Sequence, residues 1–343
     1  MRKLCNTLYV TNPKSYLSRD GESVVVSVDS QEAGRVPIRN LEGIVCFGFL
    51  GASPQVMELC TQFGVGLSFV SPYGKYLAHI SGKPSGNVLL RKKQYYVSDD
   101  EQASSNIAAH FILGKILNCK SVLLRFSRDH PEQTDSLLLD AAGKLSDGVR
   151  MLRENEFSLN ELRGVEGELS HQYFDCFDDL ILSRDPAFCF EVRSRRPPLN
   201  RINALLSFSY SLLAADCATA LQSVGLDPQV GFLHRIRPGR PSLALDLMEE
   251  FRPYLGDRFV LSLINNRIVQ ADDFVVKENG AVLLKDDARR TVLQTWQKRK
   301  SEEVFHPYLE EKIAVGLLPY AQALLLARHL RGDIDAYPPF IMK

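Results

Sequence analysis

The stretch Ser81-Gly82-Lys83-Pro84-Ser85-Gly86 divides the chain into two parts with different sequence patterns. A short polar segment rich in glycine, proline and serine is typical of a linker. Strand and turn signals precede it, and helical signals follow it. We therefore predict an α+β protein, with a small N-terminal β-rich domain over residues 1–82, a linker over 83–90, and a larger, mainly α-helical domain over 91–343.

The first part of the chain carries short strand patterns separated by turn residues. Residues 7–10 form one such pattern, and Asp20-Gly21 between two others is a strong hairpin signal. Residues 35–48 predict a further strand region. Ser53 as N-cap, followed by Pro54 and ended by Gly64, predicts a short helix.

Helix signals dominate the rest of the chain. Capping boxes at 98–101 and 158–161 predict two helix starts. Residues 204–221 are apolar on nearly all sides, which predicts a buried central helix. The remaining expectations are a short amphipathic helix over 241–251, a hairpin over 274–284, and helices from about 286 and from about 307.

Composition excludes several classes of protein. The 343 residues include 41 Lys+Arg and 41 Asp+Glu, so the formal net charge is zero, and 45% of the residues are hydrophobic. Such a chain is not intrinsically disordered. It is also not a uniformly basic nucleic-acid coat, so any nucleic-acid binding must use a local patch.

Cysteine usage and hydropathy predict a cytoplasmic protein without a membrane anchor. The seven cysteines are an odd number without a Cys-x-x-Cys pair, which favours reduced thiols and argues against structural zinc. Residues 204–221 are interrupted by serines and Asp216, so we expect a core helix there and not a membrane span.

A basic loop and an acidic helix adjoin each other between residues 233 and 251. Asp246, Glu249 and Glu250 lie on one side of the predicted helix, and His234 lies in the preceding loop. An imidazole beside clustered carboxylates suits Mn²⁺ or Mg²⁺. The alternative is a solvated polar face with an ordinary loop histidine.

A second acidic element lies between glycines. Gly164 and Gly167 flank Glu166, and glycine permits close approach of another backbone or a ligand. Glu168 competes with Glu166 for a functional role. A helix start with acids favoured by the helix dipole is the alternative.

Arginines cluster in two segments of the chain. The loop containing Pro197 and Pro198 cannot be helix interior, and Asn203 behind it is either a cap or faces the site. Guanidinium groups bind phosphate oxygens well, although charge runs are usually solvated. The predicted DNA-binding arginines of the two segments are Arg193, Arg195, Arg196, Arg235, Arg237 and Arg240.

The order and spacing of these elements resemble those of the CRISPR-associated integrase family, the catalytic subunit of the spacer-acquisition complex. The resemblance covers nearly the whole chain and is strongest to the subtype I-C form. The segments that carry it are Leu8-Tyr9-Val10, Gly164-Val165-Glu166-Gly167, Asn203 to Phe208, Leu233-His234, Ser242 to Pro253 and Asp273-Phe274.

The resemblance implies a catalytic, metal-binding role for Glu166, His234 and Glu249, with Mg²⁺ or Mn²⁺ as the cofactor. Glutamate stands at 249, where the family often has aspartate. Asp246 matches a supporting acid. Arg252 matches a basic residue near the site, and we count it among the predicted DNA-binding residues.

The resemblance also implies the function and the partners. The expected enzyme is a metal-dependent DNA endonuclease and integrase that inserts short foreign DNA into a CRISPR array by 3′-hydroxyl attack on a phosphodiester. The β-rich domain would serve dimerisation and partner contacts. Expected partners are double-stranded prespacer and repeat DNA, a second copy of the chain, a small ferredoxin-like adaptation subunit in a 4:2 complex, and an iron–sulfur accessory nuclease.

Two other functions remain open from the sequence. One is a stand-alone metal-dependent nuclease for branched DNA in repair. The other is a non-catalytic DNA-binding scaffold whose acids only cap helices.

Overall fold

In the computed structural model, which describes residues 6–48, 51–70, 76–80 and 88–342, strands gather early in the chain and helices later. This confirms the predicted order of a β-rich part followed by a mainly helical part. The chain divides into two units. The first unit comprises 1–86, 286–302 and 314–317, and the second comprises 87–285, 303–313 and 318–343.

The strands of the described ranges are, in chain order, β1 (Asn6–Val10), β2 (Ser15–Asp20), β3 (Ser23–Val28), β4 (Gln31–Pro37), β5 (Leu41–Phe47), β6 (Gly51–Ala52), β7 (Gly66–Val70), β8 (Tyr76–Ile80), β9 (Phe274–Val276), β10 (Val282–Leu284), β11 (Glu303–His306) and β12 (Glu311–Ala314).

The α-helices of the same ranges are α1 (Pro54–Phe63), α2 (Val88–Asp99), α3 (Glu101–Asp129), α4 (Ser136–Glu154), α5 (Leu159–Asp175), α6 (Arg201–Ser223), α7 (Ser242–Glu249), α8 (Arg258–Asn265), α9 (Asp286–Ser301) and α10 (Leu318–Arg331). A π-helical turn, Arg252–Asp257, lies between α7 and α8.

The first unit contains two four-stranded sheets. One has the order β1-β5-β7-β8, in which only β8 is antiparallel to its neighbour, and the other has the order β4-β3-β2-β6. Buried side chains of both sheets and of α1, such as Leu17, Ile44 and Leu59, form one core. The hairpin predicted at Asp20-Gly21 joins β2 to β3, and Gly21 has the positive φ of 56° that favours glycine there.

The predicted helix signals of α1 are all confirmed. The Ser53 hydroxyl accepts the backbone N–H of Val56 at 3.2 Å, Pro54 is the first helical residue, and Gly64 ends the helix at φ +67°. These three positions have separate physical reasons, namely a side-chain acceptor, a fixed φ and a left-handed φ, so they were readable from the sequence.

The structure corrects the single strand region predicted over 35–48. The residues form two strands in different sheets, because β4 ends at Pro37 and a short 3-10 turn at Ile38–Asn40 precedes β5. Proline has no N–H to continue a ladder. Linker residues 81–87 lie outside the described residues, whereas 88–90, predicted to belong to the linker, begin α2.

The second unit is built around two long buried helices, α3 and α6. Both are long and apolar enough to cross a membrane, yet 61% and 56% of their apolar windows are buried inside the protein. Burial of this kind is typical of core helices. Helices α4, α5 and α7 pack on α3, and α7 and α10 pack on α6.

Three further expectations differ from the structure. Helix α3 is capped by Asp100 instead of Ser98, because α2 continues to Asp99. The helix predicted from about 307 is a two-stranded sheet of β11 and β12, whose turn includes Glu310 at φ +53°, and α10 starts later. Residues 286–302, predicted to lie in the larger domain, pack in the first unit, where Arg289 lies over the Phe47 ring at 5.8 Å.

The capping box of α5 gives a first prediction. Ser158 and Glu161 exchange hydrogen bonds between side chain and backbone, so Ser158→Ala should lower the free energy of unfolding by about 1 kcal/mol. Chemical denaturation measures this change. Ser121→Ala is the control, because that hydroxyl donates only to Leu117 O within the same helix. Equal effects of the two substitutions would contradict the capping role.

Candidate active site

The three predicted ligands come from three segments of the second unit. Glu166 lies within α5, Glu249 is the last residue of α7, and His234 lies in the loop before α7. Helix α3 packs against both α5 and α7, so it connects the elements that carry the two acids. Each acid is therefore held by the helical core and not by a surface loop.

A buried lysine of α3 joins the two acids. The ammonium group of Lys115 pairs with Oε1 of Glu166 and lies 2.9 Å from Oε2 of Glu249. Ser170, one helical turn after Glu166, donates its hydroxyl to Glu166 Oε1 at 2.9 Å. The structure therefore brings Glu166 and Glu249 to one cation.

His234 reaches the same place through Asp246. The buried carboxylate of Asp246 accepts the backbone N–H groups of Phe232 (2.6 Å), Leu233 (3.0 Å) and His234 (2.9 Å), and it lies 2.6 Å from Nδ1 of His234. A carboxylate oxygen this close to Nδ1 fixes the orientation of the imidazole ring. The other ring nitrogen, Nε2, lies 3.7 Å from Oε1 of Glu249.

The loop can wrap around Asp246 only because residue 231 is glycine. A Cβ added at Gly231 would lie 2.6 Å from Oδ2 of Asp246 and 2.7 Å from the carbonyl carbon of Ser242. Backbone atoms cannot yield as a flexible side chain can. Asp246, the predicted supporting acid, therefore holds the loop in its bent conformation and orients the imidazole ring of His234.

The side chain of Glu249 is strongly favoured in its ionised form. Burial alone would raise the pKa of Glu249, but Arg252 and Lys115 lower it to about 2. Arg252 is 3.0 Å from Oε1. Burial alone would also raise the pKa of Glu166, but the positive charge of Lys115 lowers it below its usual value. Both acids are therefore anionic at neutral pH.

Arg252 is held by the π-helical turn that follows α7. Its guanidinium carbon lies 5.0 Å from the ring centre of Tyr210, whose hydroxyl donates to buried Asp257. Burial raises the pKa of Asp257 to about 6. A Cβ at Gly256 would lie 2.6 Å from the Tyr210 ring, so the turn and the ring are in close contact. π-helical turns are frequent at functional sites.

Arg193 differs from the other predicted DNA-binding arginines. Its guanidinium donates to Oδ1 of Asn203 at 2.7 Å and lies 5.5 Å from the Tyr210 ring centre, so protein groups already engage it. Asn203 is not the helix cap, because Asn200 accepts its N–H at 2.8 Å. The Asn203 amide instead connects Arg193 to the carbonyl of Val192.

The other arginines form a basic surface beside the His234 loop. Arg195, Arg196, Arg235 and Arg237 are exposed, and Arg240 is partly buried. Burial lowers the pKa of Arg240, and the positive charges of Arg237, Arg196 and Arg163 lower it further. Such a cluster repels itself and is suited to an anion.

Sequence reasoning missed Arg163 and Lys115. Arg163 stands three residues before Glu166 on α5 and donates from Nε to the carbonyl of Leu233 at 2.8 Å, which ties the helix to the His234 loop. The signal for Lys115 was a single lysine in the apolar run 111–119 of a core helix. A fully buried lysine almost always has a partner, so its position indicated an acid nearby.

Glu250 points to the other side of α7 and belongs to a separate buried network. Its carboxylate accepts the Tyr337 hydroxyl, the backbone N–H of Phe340 at 2.7 Å and the Gln322 amide at 3.3 Å. Asn118 of α3 donates to the carbonyls of Glu250 and Phe340. Burial raises the pKa of Glu250 to about 8.

The donor set fits a hard divalent cation. Among the described residues, no group of three acidic, histidine or cysteine side chains is already arranged around a metal position. However, Glu249 is buried, and the Lys115 ammonium lies 2.9 Å from its Oε2, so a cation already occupies this position. Two carboxylates and one imidazole nitrogen are ligands that Mg²⁺ and Mn²⁺ accept.

Comparisons with known proteins identify the family. The family model described as CRISPR associated protein Cas1 matches residues 8–298. A CRISPR-associated endonuclease Cas1 of Chlorobaculum tepidum is 51% identical over the whole of both chains. Another of Rhodospirillum rubrum is 49% identical, again over both whole chains. Among solved structures, a casposase bound to its integration product has a TM-score of 0.82 at 26% identity, and the match covers 97% of this chain and 93% of that one.

The Asp246 anchor gives a second prediction. In Asp246→Asn, an amide donor replaces one of the two carboxylate oxygens that together make four contacts. The His234 loop should therefore loosen, and the free energy of unfolding should fall by at least about 2 kcal/mol. Hydrogen exchange should rise in the peptide that contains residues 231–236.

The matched control is Asp175→Asn. Asp175 also lies 2.7 Å from a histidine Nδ1, that of His171, but this pair is exposed, so its loss should change stability by less than about 0.5 kcal/mol. Unchanged exchange at 231–236 in the Asp246 variant would show that the carboxylate does not hold the loop.

Proposed function

The chain belongs to the Cas1 family of CRISPR-associated proteins, and from this premise we propose that it is a divalent-metal-dependent DNA endonuclease and integrase. Its reaction is the insertion of short foreign DNA into a CRISPR array, in antiviral defence. The observation that carries this proposal is the convergence of Glu166 and His234 on Glu249, beside a surface of arginines.

Glu166, His234 and Glu249 would hold Mg²⁺ or Mn²⁺. When bound, such an ion polarises a phosphodiester and stabilises the charge that develops on phosphorus and its oxygens. Asp246 fixes the imidazole so that Nε2 is presented as a ligand. The guanidinium of Arg252, 3.0 Å from Glu249, adds a fixed positive charge at the same position.

Gly164 and Gly167 lie on a side of α5 that is turned about 100° or more away from Glu166. A Cβ added at Gly164 or Gly167 would meet no atom within 4 Å among the residues that the structure describes. Neither glycine is required by packing, although a glycine inside a helix costs about 1 kcal/mol relative to alanine.

The reaction that we propose is a transesterification. A 3′-hydroxyl of the incoming duplex attacks a phosphorus atom at the repeat boundary, a new P–O bond forms, and the bond to the leaving 3′-oxygen breaks. One phosphodiester replaces another, so no nucleotide triphosphate is needed, and the chain has no Gly-x-x-x-x-Gly-Lys-Ser/Thr loop. Water in place of the hydroxyl would give cleavage at the same site.

We propose that the protein works as a homodimer within a larger assembly. Two such dimers would bind a dimer of a small ferredoxin-like adaptation subunit, which gives a 4:2 complex on double-stranded DNA. Similar chains occur in a solved structure named a Cas6-RT-Cas1–Cas2 complex and in a Cas4 exonuclease/Cas1 fusion of Geobacter sulfurreducens. These names support an adaptation subunit and an accessory nuclease, for which we expect an iron–sulfur protein, as partners.

Strand joining provides the third prediction. A labelled duplex with a free 3′-hydroxyl, a supercoiled plasmid that carries the repeat, the adaptation subunit and Mn²⁺ are incubated with each protein. Glu166→Gln and Glu249→Gln should each lose at least about 100-fold in joining rate, since each removes an anionic metal ligand. Glu168→Gln is the control on the same helix: Glu168 accepts a hydrogen bond from Gln172, one turn further along α5, and the variant should retain joining.

The products of this assay separate the other two functions. Cut plasmid without joined duplex would favour the branched-DNA nuclease over the integrase. Equal activity of wild type, Glu166→Gln and Glu249→Gln would favour the non-catalytic scaffold.

The arginine surface gives the fourth prediction. Arg237→Ala should reduce the slope of log affinity for DNA against log salt by about one unit, because one phosphate contact is lost. Fluorescence anisotropy at several salt concentrations measures the slope. Arg150→Ala is the control, since Arg150 is exposed and pairs with Asp147 on α4. An unchanged slope for Arg237→Ala would remove this residue from the DNA-binding surface.

A further inference from the structure

Lys115 is a buried cation that stands at a metal-binding position. Only 4% of the residue is exposed, and its ammonium contacts carboxylates of both Glu166 and Glu249. Burying an ammonium is costly unless it is paired, and here two acids pair with it. The lysine therefore acts as a built-in counter-ion for the two proposed metal ligands.

The backbone under Lys115 is fixed, so its side chain is the part that can move. A Cβ at the preceding residue, Gly114, would lie 2.8 Å from Pro339 Cβ and 3.0 Å from Glu250 Cβ. Helix α3 is thus packed tightly against the segment that carries Glu249. The four-carbon stem of a lysine still allows its ammonium to turn from one anion to another.

The charges around Glu249 already cancel. Two negative side chains face two positive ones, namely Glu166 and Glu249 against Lys115 and Arg252. A divalent ion that enters would bring two uncompensated charges into a buried site, where charges interact strongly. A phosphodiester that enters with the ion offsets part of this charge and offers the ammonium a new anionic partner.

We propose that Lys115 couples divalent-metal binding to DNA binding, so that each becomes tight only when the other is present. This inference rests on the proposed function, because it takes Glu166 and Glu249 as metal ligands. In the absence of DNA, the ammonium holds the two carboxylates and opposes the metal. In the presence of DNA, it turns to a phosphate oxygen and leaves the carboxylates to the metal.

The test measures Mn²⁺ affinity by electron paramagnetic resonance of the free ion, with and without a short duplex that has 3′-dideoxy ends and cannot join. For the wild type, DNA should increase Mn²⁺ affinity at least about ten-fold, and by reciprocity Mn²⁺ should increase DNA affinity by the same factor. Equal Mn²⁺ affinity with and without DNA overturns the inference, and this arm needs no variant.

Substitution of the lysine tests its part in the coupling. Lys115→Met should bind Mn²⁺ at least about ten-fold more tightly than wild type without DNA, and the effect of DNA should fall below about three-fold. Its melting temperature without metal should fall, and Mn²⁺ should raise it by more than in wild type. Lys115→Arg keeps the charge and should keep the coupling. Lys144→Met is the control, because it removes an exposed pair with Asp140.

The outcomes separate this inference from the proposed function. A folded Lys115→Met protein that binds Mn²⁺ no more tightly than wild type without DNA overturns the role of Lys115, even where joining still requires metal. Unchanged Mn²⁺ affinity in Glu249→Gln instead contradicts the metal site of the proposed function.

Discussion

The ion pairs around the buried carboxylate of Glu249 hold the candidate active site together. This side chain is 2% exposed and would be unstable there without Lys115 from α3 and Arg252 from the turn after α7. Loss of one partner of a buried pair typically costs about 3–5 kcal/mol, because the remaining charge stays buried. The same pairs determine where α3 and α5 can lie relative to α7, so the core packing and the chemistry of the site depend on one set of contacts.

The short helix α7 and the residue that follows it contribute buried acids to three separate sets of contacts. Asp246 faces the His234 loop, Glu249 faces α3 and α5, and Glu250 faces the segment after α10. All three carboxylates are buried, although the sequence also allowed a solvated polar face. An eight-residue helix is too short to be stable by itself. Its position therefore comes from these three anchors and from the apolar residues between them, such as Leu247.

Local features were predictable from the sequence, and pairings between distant segments were not. The caps of α1 and α5 and the turn at Gly21 follow from residue chemistry within four positions. The proximity of Glu166, His234 and Glu249 was expected from the resemblance to a known family, whereas Lys115 was missed because its partners lie far along the chain. Strand β12 was taken for the start of a helix because short apolar runs do not distinguish the two states, and tertiary packing decides between them.

The hydrogen bonds of Glu250 determine how late in translation the helical unit can complete its folding. The groups that satisfy this carboxylate, the Tyr337 hydroxyl and the Phe340 amide, are synthesised 87 and 90 residues after it. Until they emerge from the exit tunnel, a polar group in the middle of the helical unit lacks its partners. The nascent chain therefore cannot complete the packing around Glu250 until almost the whole helical unit has been synthesised.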